Sequence, residues 1–324
     1  MSTSITKGMV SLFGLEPETY RPHLLHGGDR VYTETNCYTD ILIELLHARG
    51  DEPLAAMSFL VRMDFEGDQW TFFKPPPEDL ETLFGIDIHE MQPYRPLPDQ
   101  IAEQIAEGRT LIVELDAWYL PDTWSTSYRS EHVKTSVVAE AIDREAERLR
   151  YFHNLALHDL ADEDYRGVFR SGREFSDDVL PPYTELVRFD AGERLQGEEL
   201  RRAAHELLRR HLRRRPRMNP FERFADRLAS DLPELLEGDA ARYHAYAFST
   251  ARMSGSAFEV LASHVDWLLG AAGAEASASF QRIADGCKTL SLKLARRRAF
   301  EPQPALQDMA EAWERGMQAL DAAA

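Results

Sequence analysis

Two cysteines occur in the chain, and they sit in opposite surroundings. Cys37 stands directly before an apolar-periodic stretch, residues 38–49, and directly after Thr35 and Asn36, both competent helix caps. A thiol in the first turn of a helix faces unpaired backbone N–H groups and the positive end of the dipole, which favour the thiolate. The same N–H groups, supported by Thr35 and Asn36, could hold the oxyanion of a tetrahedral intermediate. Cys287 instead shares one helical face with Phe280, Ile283, Leu290 and Leu294, and reads as packing. A small buried hydrophobe is the commoner use of a lone thiol. Cys37 departs from that use because a histidine and an asparagine stand in matching places further along the chain.

A thiolate nucleophile needs a base, and the base needs an orienting partner. His132 stands at the entrance of an apolar stretch, 133–142, just after a polar loop. Asn154 closes the run Tyr151-Phe152-His153, and antiparallel pairing of the two stretches would bring it near His132. A carboxamide there accepts the imidazole N–H and leaves the other ring nitrogen facing sulfur. Cysteine at a helix start, histidine at a strand start and Asn at the next strand end follow the papain-like order.

These residues need elements to carry them. Up to about residue 190, short β-like runs at 55–65, 110–116, 133–142 and 149–153 alternate with Pro- and Gly-rich breaks. The connection 143–148 makes the last two a hairpin. Helices are expected over 38–49, ending at Gly50, and over 97–107, ending at Gly108. Beyond the loop 171–182 and a strand over 183–189, the pattern turns helical: 197–214, 221–228, 240–269, 276–298 and 304–320. The expectation is an α+β domain over residues 1–190, its N-terminal helix packed on an antiparallel sheet, and an all-α region over 191–324.

The stretches Glu34-Thr-Asn-Cys-Tyr38, Asp64-Phe-Glu-Gly-Asp-Gln-Trp-Thr-Phe-Phe-Lys74, His132-Val-Lys-Thr135 and Tyr151-Phe-His-Asn154 resemble a bacterial family of unknown function. Its genes recur beside amino acid:carrier-protein ligases, and the resemblance covers residues 10–190. The element Asp116-Ala-Trp-Tyr-Leu-Pro121, followed by His132, is similar to the N-terminal domain of the butirosin-biosynthesis acyltransferase, where Asp is commoner than Asn at the third catalytic position. That resemblance implies a papain-like fold and transfer of an aminoacyl group from a carrier-protein thioester to an amine. Cys37 would then attack the thioester on a phosphopantetheine arm, with His132 moving protons and Asn154 fixing its tautomer. The partner implied is an acidic acyl carrier protein loaded with an amino acid, together with its ligase. No bound cofactor is expected.

A donor with a free ammonium needs a carboxylate. Asp116 at a strand end, or Glu66 and Asp68 around Gly67, are candidates, with Tyr119 of the same element and Trp70 beside them; Trp70, Phe72 and Phe73 read as core before substrate wall. Fifty-five acidic against 37 basic residues leave a formal charge of −18, which disfavours nucleic acid and anionic membranes. The sign inverts over 194–217, where Arg201, Arg209 and Arg213 could dock an acidic carrier, although a solvated helix face explains the same charges. His153, His158, Asp159, Asp162 and Asp164 have no zinc-like spacing, so no metal is expected. No apolar leader or membrane span is evident, which reads as cytoplasmic. Two alternatives remain: a papain-like cysteine peptidase or amidohydrolase, and a non-catalytic carrier-binding scaffold.

Overall fold

A computed structural model describes residues 8–34, 36–171 and 181–324. In chain order it shows β1 (Val10–Ser11), α1 (Cys37–Arg49), β2 (Phe65–Glu66), β3 (Gln69–Trp70), α2 (Pro77–Phe84), β4 (Asp87–Met91), α3 (Leu97–Ala106), β5 (Thr110–Asp116), β6 (Lys134–Asp143), β7 (Arg148–His153), β8 (Ala156–Ala161), α4 (Asp162–Val168) and β9 (Thr184–Arg188). Six helices come after them: α5 (Gly197–Leu212), α6 (Pro220–Glu237), α7 (Ala240–Ala247), α8 (Met253–Leu269), α9 (Ala274–Ala295) and α10 (Gln303–Ala323). The chain is therefore mixed α and β, with an antiparallel sheet first and a helical C-terminal region. It divides into two compact units, Met1–His26 with Asn36–Asp51 and Leu80–Arg194, and Gly27–Thr35 with Glu52–Asp79 and Leu195–Ala324. Where the sequence suggests one cut near residue 190, residues 27–35 and 52–79 join the helical unit.

The first unit is built on a wholly antiparallel sheet in the order β4-β9-β5-β6-β7-β8, with β1 added to β6. Alternation sends Leu111, Val113 and Leu115 of β5 and Val137 and Ala139 of β6 to one face, where Ile101 and Ile105 of α3 bury them. Each such aliphatic side chain contributes about 2 kcal/mol on burial. α1 packs against β6 and β7.

Helix α1 starts and stops where its sequence says it should. Asn36 is extended at φ −141°, and its side-chain oxygen accepts the Thr39 backbone N–H at 2.9 Å. Gly50 closes the helix at φ +79°, a conformation that costs glycine nothing. In between, Asp40 and Glu44 are completely buried. They survive burial because His26 lies between them, Nδ1 at 2.5 Å from Glu44 and Nε2 at 3.2 Å from Asp40. The Tyr20 hydroxyl also donates to Glu44. Burial opposes charge on His26, but the hydrogen bonds to Asp40 and Glu44 outweigh it and raise its pKa to about 9. The stabilisation this brings is complete below the ordinary histidine pKa and fades as pH rises through about 9. We expect the urea midpoint of the chain to fall between pH 6.5 and 9.5, by an amount worth about 3 kcal/mol. His26→Gln should remove most of that slope.

In the second unit, residues 55–62, read as strand from their apolar run, lie instead in a 3₁₀ helix, Pro53–Arg62. Residues 53–61 are all buried, and a run buried on every side carries no period to distinguish strand from helix. The run packs against α5 and α8, and its Leu54 carbonyl accepts the Nδ1–H of His264 at 2.7 Å. Burial holds His264 neutral, with its pKa lowered to about 4. The helix expected over 240–269 is interrupted by a π turn at Phe248–Arg252 between α7 and α8. Residues 156–161, for which no strand is expected from the sequence, form β8, which pairs with β7. Most of the loop expected over 171–182 lies outside the described residues. Among the described residues, no helix is long and apolar enough to cross a membrane.

Candidate functional site

Cys37 occupies the first position of α1, half-buried, with its sulfur 3.9 Å from the Ser136 hydroxyl on β6. Ser136 shares a sheet face with Lys134, which pairs with Asp116 across the β5–β6 ladder. Paired residues of an antiparallel ladder point to the same side, so Asp116 projects from the same face as Ser136. The spacing along the strand is one two-residue repeat, about 7 Å.

His132 is bonded to that aspartate. Its Nδ1 lies 2.7 Å from Asp116 Oδ2, while Asp116 Oδ1 accepts the Trp118 backbone N–H at 3.1 Å. Through this second bond, Asp116 also sets the turn that carries Trp118. The indole then stacks on the imidazole, with centroids 4.6 Å apart and planes 12° from parallel. With Nδ1 committed to a carboxylate, Nε2 is the nitrogen left for a thiol or a substrate. The His132 side chain is 66% exposed, so that nitrogen is open to solvent. Among the described residues, no hydrogen bond joins Cys37 to His132.

The loop carrying His132 is fastened on two sides. Asp122 accepts from Tyr151 and from His153 Nδ1, each at 2.5 Å, and His153 Nε2 lies 2.8 Å from the Thr135 hydroxyl. Burial works against charge on Asp122, yet the bonds from His153 and Tyr151 keep its pKa below the usual carboxylate value. Further along, Tyr128 and Arg129 both donate to Asp164 of α4, at 2.9 and 2.6 Å. Two anchored ends leave His132 on a short, constrained stretch.

Asn154 is not the orienting partner expected from the sequence. It sits at φ +49° in the two-residue turn between β7 and β8. β6 runs for ten residues and β7 for six. Phe152 pairs with Val138, so β7 ends before it reaches the start of β6. The partner of His132 comes from the strand on the other side. Asp116, expected to bind an ammonium, is thus engaged with the ring. Trp118 beside His132 and Ser136 beside Cys37 are neighbours that residue types alone do not single out. The signal for the first is that 110–116 and 133–142 can themselves pair, which brings strand end to strand start.

Asn36 acts as the α1 cap, and Thr35 lies outside the described residues. Tyr119 is packed rather than free: Gly167 lies so close that a Cβ there would come within 2.2 Å of its ring, and the Arg129 guanidinium is 5.4 Å from the ring centroid. Glu66 and Asp68 are exposed on the β2–β3 hairpin of the second unit. Trp70 is 5% exposed among Phe65, Phe221 and Phe224, which makes it core. Arg201 stacks over Trp267 at 4.7 Å and donates to its carbonyl, so it is not available as a docking cation. Arg209 donates to the Ala324 carbonyl, and it and Arg213 line a cleft in the second unit. Among the described residues, no group of three His, Cys, Asp or Glu side chains is disposed to hold a metal ion.

Two family models match the chain. Residues 21–189 match the DUF1839 N-terminal domain, and residues 197–322 match the DUF1839 C-terminal domain. No curated protein matches.

Proposed function

The chain belongs to the DUF1839 family over both of its halves, and from its site we propose a cysteine acyltransferase of papain-like type. It takes an aminoacyl group from the phosphopantetheine thioester of an acidic carrier protein and passes it to an amine. The observation that carries this reading is the Asp116–His132 pair, 2.7 Å apart under the Trp118 ring, on the sheet face where Cys37 meets Ser136. Nucleophile, base and orienting carboxylate are the set that thiol-dependent acyl transfer requires.

The step begins with His132 Nε2 taking the Cys37 thiol proton as the sulfur attacks the thioester carbon. The oxyanion is held by backbone N–H groups of the first turn of α1. Collapse expels the pantetheine thiolate, which takes a proton from His132, and leaves an aminoacyl-Cys37. The acceptor amine then attacks, gives its proton to His132 Nε2, and releases the Cys37 thiolate. One thioester is exchanged for another in the first half, so the catalytic demand is on positioning.

The exposure of His132 favours one competitor, hydrolysis, since water reaches the ring as readily as an amine does. Incubating a carrier protein loaded with a small amino acid, with and without candidate amines, separates the two. Amide product and an aminoacyl mass on Cys37 support transfer. Release of free amino acid with every amine supports the hydrolase, and absence of any covalent adduct removes both. Trp118→Ala is expected to slow turnover about tenfold with the fold retained, because a stacked aromatic pair is worth roughly 1 kcal/mol. Rates within twofold of the original chain would show that the indole does not steer the ring.

A further inference from the structure

The helical unit contains a cleft of about 600 Å³ between the C-terminal ends of α5 and α10. Arg209, Arg213, Arg215 and Arg217 line it over an apolar floor that includes Trp313 and Met317. Two side-chain carboxylates and the Ala324 carboxylate also line it, and all three have partners, Arg209 donating to Ala324. Asp321 is held by Arg215, at 2.5 and 2.7 Å, and Glu314 accepts from Asn219 at 3.3 Å. Arg213 and Arg217 are exposed and have no ion pair or hydrogen bond among the described residues. In a chain of formal charge −18, two unpaired guanidiniums over one cleft are a concentrated positive field. Beneath them Trp313 is 3% exposed and forms part of the apolar wall.

We propose that this cleft binds the phosphate of a phosphorylated small molecule. Guanidiniums match phosphate oxygens in a planar, two-pronged geometry, which Arg213 and Arg217 are free to offer. The Trp313–Met317 floor takes the apolar or flat body attached to the phosphate. Arg209 and Arg215 are already engaged and shape the rim. Phosphate chemistry of this kind is shared by nucleotides and by the pantetheine arm, and the cleft is independent of thiol chemistry at Cys37.

Calorimetric titration of the full chain with pyrophosphate, ADP and 4′-phosphopantetheine tests the site. At least one probe is expected to bind, with affinity lowered at least 30-fold by the double variant Arg213→Glu/Arg217→Glu. Arg202→Glu, on α5 outside the cleft, and Cys37→Ala should both bind as the original chain does. Tighter binding of ADP assigns a nucleotide source, and tighter binding of 4′-phosphopantetheine assigns the arm. Because Arg213 and Arg217 are exposed and unpartnered, thermal midpoints should be unchanged; if the double variant does not fold, Arg213→Gln and Arg217→Gln replace it. Absence of binding by all three probes at millimolar concentration overturns the proposal. So does a loss in Arg202→Glu equal to that in the double variant, since diffuse charge would then suffice.

Discussion

Cys37→Ala is expected to abolish aminoacyl transfer, by about four orders of magnitude or more, while leaving the fold intact. The size reflects removal of a nucleophile: the remaining oxyanion donors and binding contacts recover only a small part of the rate. The fold survives because the sulfur is half-buried and its one hydrogen bond among the described residues, to Ser136, is long at 3.9 Å. Losing it costs about 1 kcal/mol. Helix α1 is held elsewhere, by the Asn36 cap and by Asp40 and Glu44 on His26. Intact-protein mass spectrometry with a loaded carrier reads the outcome directly: an aminoacyl adduct on the original chain, none on the variant, and unchanged circular dichroism. Transfer by the alanine variant at the original rate would end the nucleophile assignment. Cys287 offers no substitute, because burial raises its pKa to about 12 and packs its sulfur against Ser254 and Met309.

The second large effect belongs to Asp116. Asp116→Ala removes the acceptor of His132 Nδ1 and the acceptor of the Trp118 N–H together. The imidazole then loses both its tautomer preference and the ring stacked on it. A fall of 10²- to 10⁴-fold in the transfer rate is expected, on the scale seen when an orienting carboxylate is lost. Asp116→Asn offers one oxygen to two N–H donors, so its NH2 group must face either His132 Nδ1 or the Trp118 N–H, and it should lower the rate about as far as Asp116→Ala does. Asn154→Gly should leave the rate within twofold, and glycine accepts the φ of +49° there without strain. Measured side by side, the three variants discriminate sharply. If Asn154→Gly collapses the rate and Asp116→Ala does not, the orienting role returns to the carboxamide and the Asp116 assignment is wrong.

Several local features of the fold are legible in residue order. Asn36 before an apolar stripe and Gly50 after it mark the ends of α1, because capping and left-handed closure depend on the residues at those positions. The strands at 110–116 and 133–142 announce themselves by β-branched and apolar runs of strand length, and β5 and β6 occupy nearly those spans. Where the deciding contacts are distant, residue order misleads. The apolar run at 55–65 has the composition of a strand, but its burial on all sides comes from α5 and α8, more than a hundred residues further on. Residues 156–161 are short and carry no β-branched residue, and they become β8 because β7 offers them an edge to pair with. Arg201 looks like a surface cation until Trp267 arrives beneath it.

The sequence by itself determined which chemical groups are available and where each sits on its own element: a thiol at a helix start, an imidazole at a strand start, a carboxylate at a strand end. Tertiary structure alone decided the partners. Helix caps and strand periods are set by neighbours a few residues apart, whereas the bond between His132 and Asp116 depends on which strand lies beside which and in what register. β6 has a neighbour on each side, and the spacing of residues does not say which of them reaches its first residues. β5 does, and β7 stops short, so the acid that orients the ring comes from before the histidine and not from after it.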